Sequence, residues 1–285
     1  MKEEFLQAHS IAQCFILAFR IYRIYFIPIM ILSISLLIPS VVTGLLGLEI
    51  EHIVFFVTIR LTEAAMTLGL VALLFQPVFP AIGILKSVRS RLFFGAVHVA
   101  ILQFIIFLTG SMFAVLPFPL NMILFLILIG SIFVFSLSQT IYILEGERGF
   151  RALVASFRLV QSNASKTILT IIFLGTAKLV LFSFLLVSFL PELNLGSPEN
   201  LEKVENLMAI LQTPEVIQAL RWSQYLGYLL LYPFASLVLV LLYIDLKLSH
   251  SGIEESSLFQ TVAHLLRHED AEPASDKIED QHNSH

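Results

Sequence analysis

The stretch IYFIPIMILSISLLIPSVVTGLL, residues 24–46, contains no Asp, Glu, Lys, Arg or His. As a helix, its 23 residues extend roughly 35 Å at 1.5 Å per residue, enough to cross a hydrocarbon core of about 30 Å. In lipid every backbone polar group must be satisfied within the segment, so an uncharged run of this length reads as a spanning helix.

Just upstream, Ile11, Cys14, Phe15, Ala18, Phe19 and Tyr22 recur at helical spacing while Gln13, Arg20 and Arg23 interrupt them. One straight rod over 11–46 would be roughly 54 Å long, too long for one crossing. A bend near Arg23 is therefore expected, with the upstream part lying as an amphipathic helix at the interface.

Further apolar runs follow. The segment 53–85 is interrupted only by Arg60, Glu63 and Gln76 and again exceeds one membrane thickness. The crossing is placed at about 64–85, with 53–63 as an outer helical approach and a kink at Pro77 and Pro80. Residues 92–116 and 120–144 form a hairpin around Pro117-Phe118-Pro119, and 167–190 and 222–244 complete the set. Between 145 and 166, Phe150, Leu153, Val154, Phe157 and Val160 form one stripe while Arg151 and Arg158 share another line, the pattern of a basic amphipathic surface helix. The expected fold class is all-α: a polytopic transmembrane helical bundle of about six spans plus interfacial amphipathic helices. Residues 1–248 form a single membrane domain, and 249–285 form a polar cytoplasmic tail, partly disordered.

Composition agrees. Hydrophobic residues make up 57% of the 285 and charged residues 13%, against about 45–50% and about 25% in soluble domains. The net charge of −4 excludes the basic face of a nucleic-acid binder. A lone cysteine, Cys14, excludes an internal disulfide and a cysteine metal cage, and reads as a small packing residue. Acids at Glu3 and Glu4 and the lack of a small-residue cleavage site give an uncleaved N-terminus. Ten Lys and Arg fall in 1–23, 86–91 and 145–166, against three in 47–63, 117–119 and 191–221. The positive-inside rule then puts both termini in the cytoplasm.

Three short stretches carry a family likeness: Ala18-Phe19-Arg20-Ile21-Tyr22-Arg23; Ile143-Leu144-Glu145-Gly146-Glu147-Arg148-Gly149-Phe150-Arg151-Ala152-Leu153, continuing through Ser156-Phe157-Arg158-Leu159-Val160; and Leu242-Tyr243-Ile244-Asp245-Leu246-Lys247. Together they resemble a six-helix bacterial membrane protein family of largely unknown function, related to the glycerophosphoryl diester phosphodiesterase membrane domain. The resemblance covers roughly 10–250 and implies a membrane domain of the bacterial cytoplasmic (inner) membrane without a known active site. No stretch here could build the phosphodiesterase barrel of the fused relatives. The first and second stretches also echo each other, Ala18-Phe19-Arg20-Ile21 against Ser156-Phe157-Arg158-Leu159, a weak internal repeat that topology alone would also produce.

Catalytic motifs are missing: there is no His-Glu-x-x-His, no phosphate-binding loop and no Gly-x-Ser-x-Gly elbow. His264 and His268, four apart, suit a solvated tail helix as well as a metal. His52 and His98 stand alone. Lys178 is the most informative residue, since centring a lysine in lipid costs at least about 2.5–3.5 kcal/mol. Gln76, Gln103 and Tyr232 fall at comparable depth, so a midplane polar cluster of these four is expected, with Lys178 in the bundle interior. Two roles stay open for it, a packing device or a functional polar site. Arg20, Arg23, Arg151 and Arg158 are expected to contact lipid headgroups. Glu145 and Asp245, each ending a span, are expected to form helix-end salt bridges with arginines of the surface helices.

The resulting expectation is a non-enzymatic multi-pass membrane protein that takes no cofactor or metal. Its partners are membrane lipids and a membrane-protein partner, not nucleic acid, and its role is membrane organisation, partner assembly or lipid handling. The alternative is a transporter or carrier built on the site around Lys178.

Overall fold

The computed structural model of the chain describes residues 10–47, 50–75, 78–88, 93–112, 122, 129–147, 149–189 and 213–251. These are helices joined by short turns, with no strand among the described residues. We label the helices α1 (Ile11–Ile24), α2 (Phe26–Leu45), α3 (Glu51–Phe75), α4 (Ala81–Ser87), α5 (Phe93–Met112), α6 (Ser138–Glu145), α7 (Phe150–Ser162), α8 (Ala164–Phe189) and α9 (Pro214–Ser251). Among the described residues α2, α3, α8 and α9 are long and apolar enough to cross a membrane. A fifth crossing is added if the bent pair Ile129–Glu145 and Phe150–Ser162 counts as one span. The chain is thus an all-helical membrane protein with four to five candidate spans. Gln76, the Pro117 turn, residues 191–212 and the tail with His264 and His268 lie outside the described residues.

Helix α1 starts at a reciprocal cap: the Gln13 amide donates to Ser10 Oγ at 3.3 Å, and the Ser10 amide donates to Gln13 Oε1 at 2.7 Å. Near Arg23, where a bend is expected, the helix is interrupted at Tyr25, between α1 and α2. Helix α1 buries Cys14, Leu17, Ala18 and Ile21 and packs on α9. The Tyr22 hydroxyl donates to the Leu230 carbonyl of α9 at 2.9 Å. That acceptor sits one turn before Pro233, where the missing proline N–H and the ring's bulk disturb the carbonyl ladder.

The second apolar run behaves differently from the expectation. Helix α3 is continuous from Glu51 to Phe75, and the chain restarts as α4 at Ala81 after Pro80. Residues 53–63 therefore continue without a break into 64–73, and the whole forms one candidate span. Small residues let this helix run through the centre of the bundle: Ala64, Ala65 and Ala72 are buried, and the ring of Phe79 occupies the space a Cβ on Gly69 would need. In lipid, close approach of this kind replaces the hydrophobic effect as the source of helix association.

Residues 129–134 are helical, 135–137 form a turn, and α6 follows. A break inside an apolar segment frees carbonyls that must find donors. Gln103 of α5 donates to the Phe135 carbonyl at 3.0 Å and to Ser138 Oγ at 2.6 Å. Ser156 of α7 donates to the Val134 carbonyl at 2.6 Å. Helix α6 then ends at Gly146 (φ +70°), and α7 begins after Gly149 (φ +56°). Both conformations are ones that only glycine adopts without strain, and between them the chain turns by 116°. The Glu145-Gly146-Glu147-Arg148-Gly149 stretch thus encodes this corner.

The weak repeat has a structural counterpart. In α1, Ala18 and Ile21 are buried while Phe19 and Arg20 are exposed; in α7, Ser156 and Leu159 are buried while Phe157 and Arg158 are exposed. Each short helix breaks at one residue, Tyr25 or Asn163, and continues into a long apolar helix, α2 or α8. All four helices pack on α9.

Candidate functional site

Arg60 and Glu63 lie one turn apart on α3, and Arg60 Nη1 donates to Glu63 Oε2 at 2.8 Å. Glu63 is twelve residues from Glu51 and twelve from Phe75, so it marks the middle of the helix. Its side chain is fully buried and that of Arg60 is 19% exposed. Withdrawing a charge from water costs several kcal/mol, which only a close, well-hydrogen-bonded partner offsets. The guanidinium also lies over the Phe56 ring, 5.2 Å from its centre, a favourable cation–π placement. Satisfaction is incomplete, because Arg60 Nε and Glu63 Oε1 are buried without a hydrogen-bond partner.

Beside this pair, α3, α8 and α9 enclose a cavity of about 500 Å³, with Ile132 and Ser136 closing it from the broken helix. Along α9 the lining runs from Ser223 to Leu239, sixteen residues or roughly 24 Å of helix. The cavity is therefore a slot running along the bundle. Its walls are chiefly apolar, with Phe55, Ile59, Leu174 and Leu231 among them, and the charges on its wall are those of Arg60 and Lys178. Tyr228 and Tyr232 stack one turn apart, ring centres 5.4 Å apart, and the Tyr228 hydroxyl is hydrogen-bonded to Thr62 of α3. Ser223 Oγ and Ser236 Oγ, on the same wall, are buried and unpartnered. Buried polar atoms are normally satisfied, and Arg60 Nε, Ser223 Oγ and Ser236 Oγ, all on residues that line the cavity, lack a partner among the described residues.

The expected four-residue cluster does not assemble as one unit. Lys178 and Tyr232 share the cavity. Gln103 is taken up by the break before α6, and Gln76 falls outside the described residues. Lys178 is not in the interior: it is exposed at the cavity rim and makes no hydrogen bond or ion pair with the described residues. Its helix explains this, since α8 packs along α9 and leaves nearly all its remaining apolar surface uncovered. Arg60, Glu63, Tyr228 and Thr62 complete the site that length arithmetic had moved to the membrane's edge. The signal that points to them is the opposite-charge pair at i, i+3 inside an apolar run.

Polar clusters bracket this core. At one end of α9 the Tyr225 hydroxyl donates to Glu51 Oε1 at 2.7 Å and lies 3.0 Å from the Ser40 carbonyl oxygen, and Arg221 pairs with Glu51 at 3.1 Å. Gly44 gives this contact room, since a Cβ there would collide with the Tyr225 hydroxyl and the Glu51 carboxylate. At the other end Glu145 Oε1 accepts from the Tyr243 hydroxyl at 2.6 Å and from Lys247 at 2.7 Å, and Asp245 pairs with Lys166. Glu145 and Asp245 thus each take part in a helix-end ion pair, with Lys247 of α9 and Lys166 of α8. Arg221 and Asp245 are 24 residues apart on α9, roughly 36 Å of helix, the span of a hydrocarbon core and its edges.

Arg20, Arg23, Arg151 and Arg158 are all exposed on α1 and α7. Burial, with the nearby Asp245 carboxylate adding to it, pushes the Cys14 thiol up to about 11, which makes it an inert packing residue. His52 and His98 are exposed, and among the described residues no group of three or more His, Cys, Asp or Glu is arranged to hold a metal. Comparison with models of known families, with curated proteins and with solved structures finds no match for this chain.

Proposed function

We propose that this is a non-enzymatic lipid-handling protein that draws a hydrophobic molecule from the bilayer into the slot between α3, α8 and α9. The observation that carries the reading is an elongated, apolar-walled cavity with unpartnered polar groups and two cations at mid-helix height. Ligand sites combine a mostly apolar wall with a few fixed polar groups in this way and occupy volumes of about 300–1,000 Å³. The protein sits in the bacterial inner membrane with six spans and both termini in the cytoplasm. The exposed arginines of α1 and α7 lie against anionic headgroups, each contributing on the order of 1 kcal/mol. The three quoted motifs support membership of the family related to the glycerophosphoryl diester phosphodiesterase membrane domain.

The test is native mass spectrometry of the full chain extracted with its lipids. A near-stoichiometric bound molecule is expected in the wild type. It should be lost in Gly175→Phe, whose side chain enters the slot from a position with open space around it. A wild-type protein carrying no specific molecule would refute the reading.

A carrier role is favoured by one further observation. The helix break at 135–137 borders the slot through Ser136. Transporter sites commonly form where helices are discontinuous.

A further inference from the structure

Resting on the lipid-handling reading, we propose that the slot selects an anionic amphiphile, holding a phosphate or carboxylate head between Arg60 and Lys178 and one apolar chain along the α8–α9 wall.

The sign of the charge follows from the wall itself. Arg60 and Lys178 line the cavity, whereas Glu63, the carboxylate bound to Arg60, does not, and no Asp or Glu is among the lining residues. Glu63 holds Arg60 through Nη1 and Oε2, and Arg60 Nε has no partner. A guanidinium presents five donors in a planar fork suited to carboxylate and phosphate oxygens, so it can keep Glu63 and still donate to a second anion. Lys178 approaches from the opposite helix with three donors and no acid among the described residues to take them. The two stacked tyrosines and the orphan hydroxyl of Ser236, one turn from Tyr232, add polar contacts for the remainder of a headgroup. A free inorganic anion would use the cations and leave the walls empty. The slot continues past them in both directions, nine residues of α9 from Tyr232 to Ser223 and seven from Tyr232 to Leu239, roughly 14 Å and 10 Å. On the α8–α9 wall Ile171, Leu174, Phe182, Leu231 and Leu239 supply the apolar surface that a hydrocarbon chain covers.

The test uses the purified full chain in phosphatidylcholine nanodiscs. Binding of palmitoyl lysophosphatidic acid is compared with that of palmitoyl lysophosphatidylcholine and of inorganic phosphate. The wild type should bind the anionic lipid at least about tenfold more tightly than the zwitterionic one, the effect of one or two charge-assisted hydrogen bonds. Lys178→Met, at an exposed position that leaves the fold intact, should abolish this preference while binding of the zwitterionic lipid persists, and Lys178→Arg should restore it. A double variant, Arg60→Gln with Glu63→Gln, should weaken the preference without leaving a lone buried charge. Equal affinity for the two lipids, or a preference unchanged in Lys178→Met and in the double variant, overturns the inference and leaves lipid handling standing. Phosphate alone binding as tightly as the anionic lipid overturns the amphiphile. Failure of both lipids to bind removes the lipid-handling reading as well.

Discussion

Gln103 of α5 donates to Ser138 Oγ of α6 at 2.6 Å, and the same amide nitrogen reaches the Phe135 carbonyl at 3.0 Å. One side chain therefore closes the gap where the helix leading into α6 breaks. The consequence reaches the candidate site, because Ser136, in the middle of that break, lines the slot. A glutamine that sequence reading placed beside Lys178 instead holds the wall that Lys178 faces across.

Replacing Gln103 by Leu is expected to destabilise the protein by about 1–3 kcal/mol. The Phe135 carbonyl and the Ser138 hydroxyl lose a partner in surroundings without bulk water to replace it. Gln103→Glu is expected to be worse, since an acceptor-only carboxylate would face a carbonyl. Thermal melts of the detergent-solubilised protein, followed by size-exclusion recovery, measure both. A Gln103→Leu variant melting with the wild type would show that the break is stable without this stitch.

The candidate spans α2, α3, α8 and α9 are the part of the fold most legible in the sequence, because a long apolar run in lipid leaves the backbone one option. The corner at Gly146 and Gly149 is not part of the sequence reading, which takes 145–166 only as a basic amphipathic surface helix; its positive φ angles come from the structure. The expected bounds of the second span, about 64–85, differ from those of the continuous helix Glu51–Phe75 for an identifiable reason. Apolar length alone could not tell whether 53–63 or 76–85 lay in the membrane, and the arginine and glutamate at 60 and 63 argued for the edge. Their mutual pairing at 2.8 Å and the packing of α3 at the centre of the bundle reverse that argument, because a paired charge facing protein is tolerated where a lone charge facing lipid is not. Pairing across helices, such as Thr62 with Tyr228 or Gln103 with Ser138, depends on a packing that no periodicity contains.

Orientation rests on the asymmetry of basic residues and is open to direct test. Reporter fusions after residues 88, 118, 150, 205 and 250 are expected to read cytoplasmic, external, cytoplasmic, external and cytoplasmic. Neutralising Arg20, Arg23, Arg151 and Arg158 together should lower the fraction of correctly oriented protein, as the inward retention of these segments weakens. A reversed reading at any adjacent pair of fusions would rule out the six-span topology.

The ion pair on α3 makes the sharpest energetic prediction. Glu63 is fully buried and Arg60 nearly so, and removing one partner leaves the other as an uncompensated charge in the middle of the bundle. Breaking a buried pair in this way typically costs about 3–5 kcal/mol. Glu63→Leu and Arg60→Met are thus each expected to lower the melting temperature and the yield of folded protein severely. Joining the two should recover most of the loss, because a hydrophobic pair of similar volume carries no desolvation penalty and is often neutral or stabilising. The coupling between the two substitutions in a double-mutant cycle should therefore be large and favourable, on the order of the single-variant losses. Ligand retention should follow a different order. Arg60→Met with Glu63→Leu should fold and yet lose the molecule seen in native mass spectra, since the slot loses the guanidinium it presents to a headgroup, while Glu63→Gln should retain it. Single variants as stable as the wild type would mean that water reaches the pair. Undiminished ligand in the folded double variant would remove Arg60 from the site.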